Sequence, residues 1–299
     1  MALSIIRRVG IDRIAFNLSL KGKELHSLIR KNIWDLVSNK KKLSPFWKIT
    51  FPKPITDDYL CLNFELHSKQ IAFQLTLARE YEHRYFRLDL YPDKFSENEF
   101  EEIKKVVSLA IAPLDYDYLF KKGKVSYIEV YADFLSHPMH TFIPLRTHIS
   151  DSQIIVENGI KGTLYLGAQK SDSRHAFYDK KKQLLEKKGL ETPYAIWTRI
   201  EARLTHPGHK PCDLLMHLPN PFNKISIVDP IRARKISIDS EFHKLLDACE
   251  ENGSGSAFRG YLPYEKKVFR QKLKTCLVWW WRPEKLWGHF PNALAKITP

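Results

Sequence analysis

Lys161-Gly-Thr-Leu-Tyr-Leu-Gly167, Arg174-His-Ala-Phe-Tyr178-Asp-Lys180 and Trp197-Thr-Arg199-Ile-Glu201-Ala-Arg203-Leu204 are the runs whose reading decides the fold. Each reads as a strand, over residues 161–167, 173–179 and 195–204, with a polar turn after the first and a lysine-rich helix before the last. Side chains alternate across a strand, so Arg174, Ala176, Tyr178 and Lys180 fall on one face. On the third strand Arg199, Glu201 and Arg203 point one way, and Ile200, Ala202 and Leu204 the other. A tyrosine between two cations is unusual on a face meant only for packing.

Outward from this centre the chain keeps the same character. The 299 residues hold 48 Lys and Arg against 34 Asp and Glu, a formal charge of +14 with a pI near 9.5. Such an excess favours a polyanionic partner through steering and counterion release, without choosing among DNA, RNA and an anionic membrane. Cys61, Cys212, Cys249 and Cys276 are far apart, with no C-x-x-C pair. Neither a metal cluster nor a disulfide framework is indicated, and reduced thiols are expected. No stretch approaches the roughly 18–20 apolar residues of a spanning helix, so a soluble, cytoplasmic protein is expected, with no membrane partner.

Gly10 to Leu20 alternates like a strand, and Leu25, Leu28, Ile29, Ile33, Leu36 and Val37 form a helical stripe. A basic loop at Lys40-Lys-Lys42 follows. Tyr59 to His67 and Gln70 to Ala78 read as a hairpin across Ser68-Lys69, and Arg84 to Tyr91 as a further strand. Ser96 and Glu99 make a capping-box pattern before Phe100, Ile103 and Val107, which predicts a helix. Val125 to Phe134 is the next strand. Strands and helices without strict βαβ alternation predict an α+β fold, a largely antiparallel sheet with packed helices.

Beyond Leu204 prolines punctuate a loop-rich connector, and a small helical C-terminal region follows. Domains are therefore expected at 1–205 and 206–299. Phe242, Leu245, Leu246 and Cys249 define one late helix, ending at Gly253. Phe269, Leu273, Cys276, Leu277 and Trp280 define the last, whose opposite face carries Lys267, Arg270 and Lys274. Core packing explains its aromatic side; a DNA-gripping or interface helix, or an interfacial membrane helix, are the other readings.

Glu129 and Asp133 sit four apart on a strand, facing one way with Tyr131 between them. A solvated strand face is the plain explanation. Buried carboxylates need a cation or hydrogen bonds, and oxygen-only ligands suit Mg²⁺ or Mn²⁺; Glu201 supplies a third acid. The pairs His137/His140 and His206/His209 lie in proline-broken loops and read as surface. Tyr178 taken alone is an ordinary strand residue.

The run "YLGAQKSDSRHAFYDKKKQ" followed by "WTRIEARL" resembles the Rep_trans rolling-circle replication initiators, best known from staphylococcal plasmids. "RLDLYPDKFSENEFEEIKKVV" and "YIEVYADF" extend the resemblance over roughly residues 10–205. The family has Asp where this chain has Glu129, and Arg where it has Tyr127. The resemblance implies that Tyr178 nicks a replication origin through a 5′-phosphotyrosine, with Arg174 and Lys180 as catalytic cations at the phosphate and Arg199 and Arg203 binding DNA. It further implies that Glu129, Asp133 and Glu201 hold Mg²⁺ or Mn²⁺. Implied partners are origin DNA, duplex and extruded single strand, a host helicase and polymerase, and a second copy in a homodimer. The alternative is a non-catalytic origin-binding or regulatory protein of the same descent. No His-hydrophobic-His motif of the other large class of nicking enzymes occurs, and an RNA-binding reading rests on charge alone.

Overall fold

The computed structural model describes residues 6–39, 43, 45–66, 70–146, 151–157 and 160–299. The expected basic loop at Lys40–Lys42 and the hairpin turn at Ser68-Lys69 lie outside the described residues. The chain forms two compact units. One comprises Gly10–Val130, Leu204–Leu218 and Phe290–Pro299; the other comprises the chain up to Val9, Tyr131–Arg203 and Pro219–His289. The expected boundary after residue 205 thus falls inside a segment that returns to the first unit.

In the first unit the elements are β1 (Ile6–Ser19), α1 (Lys23–Ser38), β2 (Trp47–Thr50), β3 (Tyr59–Leu66), β4 (Gln70–Glu80), β5 (His83–Leu90), α2 (Glu97–Ile111), α3 (Tyr116–Lys122) and β6 (Lys124–Phe134). The unit boundary cuts β1 after Val9 and β6 after Val130. The strands run in the order β2-β3-β4-β5-β1 with antiparallel pairing throughout. The register sets Phe64 opposite Phe73, and their rings stack with centroids 4.5 Å apart. Against this sheet the helices bury apolar stripes, Ile29, Ile33 and Leu36 from α1 and Phe100, Ile103 and Val107 from α2. The expected capping box is present: Ser96 Oγ accepts from the Glu99 N–H, and the Ser96 N–H donates to the Glu99 carboxylate at 2.8 Å. Leu28, placed in the α1 stripe by periodicity, is instead exposed.

In the second unit β7 (Ile143–Arg146), β8 (Ser152–Glu157), β9 (Ile160–Leu166), β10 (Ser173–Asp179), α4 (Lys180–Lys188) and β11 (Thr198–Thr205) follow, the unit boundary cutting β11 after Arg203. The order is β11-β10-β9-β8. Gly167 closes β9 with φ +102°, and a Cβ there would meet Arg146 Nη1 at 2.6 Å. That open space lets Arg146 Nη1 donate to the carbonyls of Leu166 and Ser173, at 3.1 and 2.8 Å, and pin the turn into β10.

Past the short α5 (Leu214–His217), which belongs to the first unit, β12 (Ile225–Val228) pairs antiparallel with β7. Then come α6 (Pro230–Lys235), α7 (Ser240–Asn252), α8 (Ser254–Ala257), α9 (Pro263–Lys274), α10 (Pro283–Trp287) and, in the first unit, α11 (Phe290–Ala295). Phe242, Leu245, Leu246 and Cys249 of α7 pack with Phe269 and Leu273 of α9 in one core. The helix expected to run on to Trp280 stops at Lys274. The chain there turns extended, because the Val278 N–H donates to Ile227 O at 3.0 Å and the Trp281 indole N–H to Ile225 O at 2.9 Å. The class is α+β, as expected. All four cysteines are free, three of them buried, and no helix among the described residues is long and apolar enough to cross a membrane.

Candidate active site

The second unit places Tyr178 on β10 and Arg199 and Glu201 on β11, beside the end of β6 that carries Tyr131 and Asp133. β10 occupies the residues the alternation gave it, and its register sets Tyr178 opposite Thr163 of β9. On β11 the apolar set Ile200, Ala202 and Leu204 is buried as expected. The polar set converges on the other side.

The Tyr178 hydroxyl donates a short hydrogen bond to Glu201 Oε1. Arg199 lies between the two carboxylates. Its Nε and Nη2 form a fork onto Asp133 Oδ1 and Oδ2 at 2.7 and 2.9 Å, while Nη1 stands 4.0 Å from Glu201 Oε1. The guanidinium carbon sits 3.6 Å from the centroid of the Tyr131 ring. Arg8 approaches Asp133 Oδ2 at 3.7 Å and packs over Tyr131 as well.

Burial works against the charge on Arg199, but the hydrogen-bonded Asp133 carboxylate outweighs it and holds the guanidinium pKa above its usual value. Asp133 is fully buried. The plain explanation of a solvated acidic face therefore does not describe it; the carboxylate is carried into the interior by a bidentate arginine.

The geometry gives each expected cation specific partners. Arg199, expected on DNA phosphate, forks onto Asp133 and lies over Tyr131. Arg174 shares the strand face of Tyr178, but its guanidinium lies 3.8 Å from the Tyr165 centroid and donates to Gln153 Oε1 at 3.4 Å. Burial lowers its pKa. Lys180 is the cation that stays near the tyrosine, with Nζ 5.6 Å from the Tyr178 centroid and donating to Gln183 Oε1 at 2.8 Å. Arg203 is half-buried. On α9, Lys267, Arg270 and Lys274 are all exposed, as their shared face predicts.

Glu129 lies in the first unit, where it is buried and accepts from the Tyr127 hydroxyl at 3.2 Å. Arg13 stacks on that Tyr127 ring at 4.9 Å and bonds Asp89 at 2.7 Å. A divalent ion such as Mg²⁺ takes oxygens at about 2.0–2.1 Å in near-octahedral geometry. Both Asp133 oxygens instead accept from Arg199. Among the described residues no group of three or more His, Cys, Asp or Glu is arranged to hold a metal ion. Within the second unit, Asp133 with both oxygens held by Arg199 does not fit an Mg²⁺ or Mn²⁺ ligand as arranged.

Sequence reasoning missed Arg8 and Tyr131 as partners of this cluster, and the pairing of Arg199 with Asp133. A usable signal was present: a buried strand Asp demands a cation, and Arg199 is the one two residues from Glu201. What remains is a phenol whose hydroxyl donates to a carboxylate able to take its proton.

Residues 146–229 match the Rep_trans family model, described as replication initiation factor. That segment contains Arg174, Tyr178, Lys180, Arg199, Glu201 and Arg203, and leaves out Glu129 and Asp133. Among solved structures the chain is similar to the rolling-circle replication initiator protein from Geobacillus stearothermophilus. There the identity is 12%, with a TM-score of 0.36, over 66% of this chain and 74% of that one. No curated protein matches the chain.

Proposed function

From a chain whose residues 146–229 carry the pattern of the replication initiation factor family, we propose a replication initiation protein that nicks one strand of its origin in the cytoplasm. Tyr178 is the nucleophile and Glu201 its base. The observation that carries this reading is the hydrogen bond from the Tyr178 hydroxyl to Glu201 inside the matched segment.

In the step proposed, the Tyr178 proton passes to Glu201 as the phenolic oxygen attacks the scissile phosphorus. A tyrosine–phosphate bond forms and the bond to the 3′ oxygen breaks. The leaving oxygen takes a proton and becomes a free 3′-OH for a polymerase. The phosphodiester energy is kept in the tyrosyl ester, so religation needs no nucleotide. Lys180, beside the tyrosine, offers positive charge where the phosphorane develops. Arg199 acts at one remove: it neutralises Asp133 and stands next to Glu201, which keeps the base aimed at the phenol. No step is drawn through a metal ion.

The test is incubation with supercoiled DNA carrying the element's own origin. Nicked circles with protein attached at the 5′ end support the reading. Tight origin binding without an adduct returns the non-catalytic alternative.

A further inference from the structure

In the unit that carries Tyr178, a cavity of about 360 Å³ is lined by His137, Phe142, Asp229, Arg232, Trp279 and Trp280, among others. That is within the range of small-molecule sites and ample for a nucleobase. Its walls differ in kind. Trp280 is buried and fixed, with its ring stacked on His137 at 4.2 Å and 7° and edged by Phe142 at 5.6 Å. Trp279 is 69% exposed, an indole presented to solvent where an isolated apolar side chain has no packing to do. Asp229 and Arg232 place an acceptor and donors at the same cavity. One Asp229 oxygen caps α6 by accepting from the Arg232 N–H at 3.0 Å. The exposed Arg232 guanidinium makes no side-chain hydrogen bond or ion pair among the described residues.

We propose that this cavity holds one unstacked base of single-stranded DNA, with Trp279 as the stacking platform and Asp229 and Arg232 reading the base edge. Aromatic faces take any base, and an acid with an arginine supplies the acceptor and donor that a base edge matches. Leu277 is shared with a neighbouring cavity of about 60 Å³ lined by Arg146, Ser226, Ser254, Arg270 and Lys274. That second lining has three cations, two hydroxyls and no carboxylate, a fit for the phosphate joined to the base. A formal charge of +14 favours the same ligand. The inference rests on the nicking reading only in taking a DNA single strand as the ligand.

The test uses the full chain and needs no origin sequence. A labelled deoxyadenosine dodecamer and an abasic dodecamer of the same backbone are titrated by fluorescence anisotropy, with thermal melting as the folding control. The parent binds the deoxyadenosine strand about 10-fold more tightly than the abasic one, as one stacked base warrants. Trp279→Ala loses about that 10-fold on the first and nothing on the second, and Trp279→Phe keeps the preference.

The inference is overturned if Trp279→Ala binds both strands as the parent does, or if the parent does not distinguish them. It is also overturned if Trp279→Ala breaks a dimer in sedimentation without touching the preference, which assigns the indole to a second copy. Nicking of supercoiled DNA, measured alongside, reports on the tyrosine separately, so either reading can fail alone.

Discussion

The Tyr178 hydroxyl donates its proton to the Glu201 carboxylate, across two strands and 23 residues of sequence. A carboxylate in that position can take the proton as the phenol attacks. Glu201→Gln keeps the shape and a hydrogen-bond acceptor but removes the base. Nicking should fall about 100- to 10,000-fold, the usual contribution of a positioned base, while origin binding is unchanged. A variant that nicks at the parent rate contradicts the assignment of Glu201.

The Arg199 and Asp133 fork predicts a large and asymmetric effect on stability. Arg199→Met takes both hydrogen bonds from a fully buried carboxylate, leaving Arg8 at 3.7 Å, and should lower stability by about 3–5 kcal/mol in urea unfolding. Replacing both, as Arg199→Met with Asp133→Leu, should recover most of that loss, because the pair's attraction largely offsets its own desolvation. Equal losses in the single and double variants would show that the pair is not what Arg199 serves.

His175 predicts a pH effect independent of the site. Burial pushes its imidazole pKa down to about 3, while Pro221 O accepts from Nε2 at 3.1 Å. The unfolded chain binds its proton near pH 6.5, and the folded chain does not until about pH 3. Stability is therefore full above pH 6.5 and declines as pH falls through that window. From pH 7 to pH 5 this group alone should remove about 2 kcal/mol. His175→Phe should flatten that part of the profile; an unchanged slope assigns it to other groups.

The strands around Tyr178 were legible because alternation there is local: β10 has the expected bounds and β11 buries the expected face. The capping box of α2 was legible for the same reason. The carboxylates were not. Alternation put Glu129 and Asp133 on one face, but which cation or hydroxyl each meets is decided by partners far along the chain, such as Arg199, 66 residues from Asp133. The end of α9 failed for a related reason. Cys276, Leu277 and Trp280 continue the helical period, yet pairing with β12 takes the backbone groups that the helix would have used. Local period specified the face, and tertiary pairing specified where the helix stopped.

Lys267, Arg270 and Lys274 stay exposed on α9 and remain proposed contacts to DNA phosphate. Changing all three to Ala should reduce the slope of log K against log[salt] for duplex binding by about 3. Origin and random duplex should weaken alike, because phosphate contacts carry no sequence information. An unchanged slope returns this face to solvated surface.

The central claim is that Tyr178 forms the covalent link, and mapping the adduct tests it most directly. Supercoiled origin DNA is incubated with the parent protein, the nucleic acid is digested, and the nucleotide-bearing peptide is sequenced by mass spectrometry. The account predicts a single modified tyrosine, Tyr178, and no adduct with Tyr178→Phe despite unimpaired origin binding. An adduct on Tyr165 or any other residue, or full nicking by Tyr178→Phe, contradicts it.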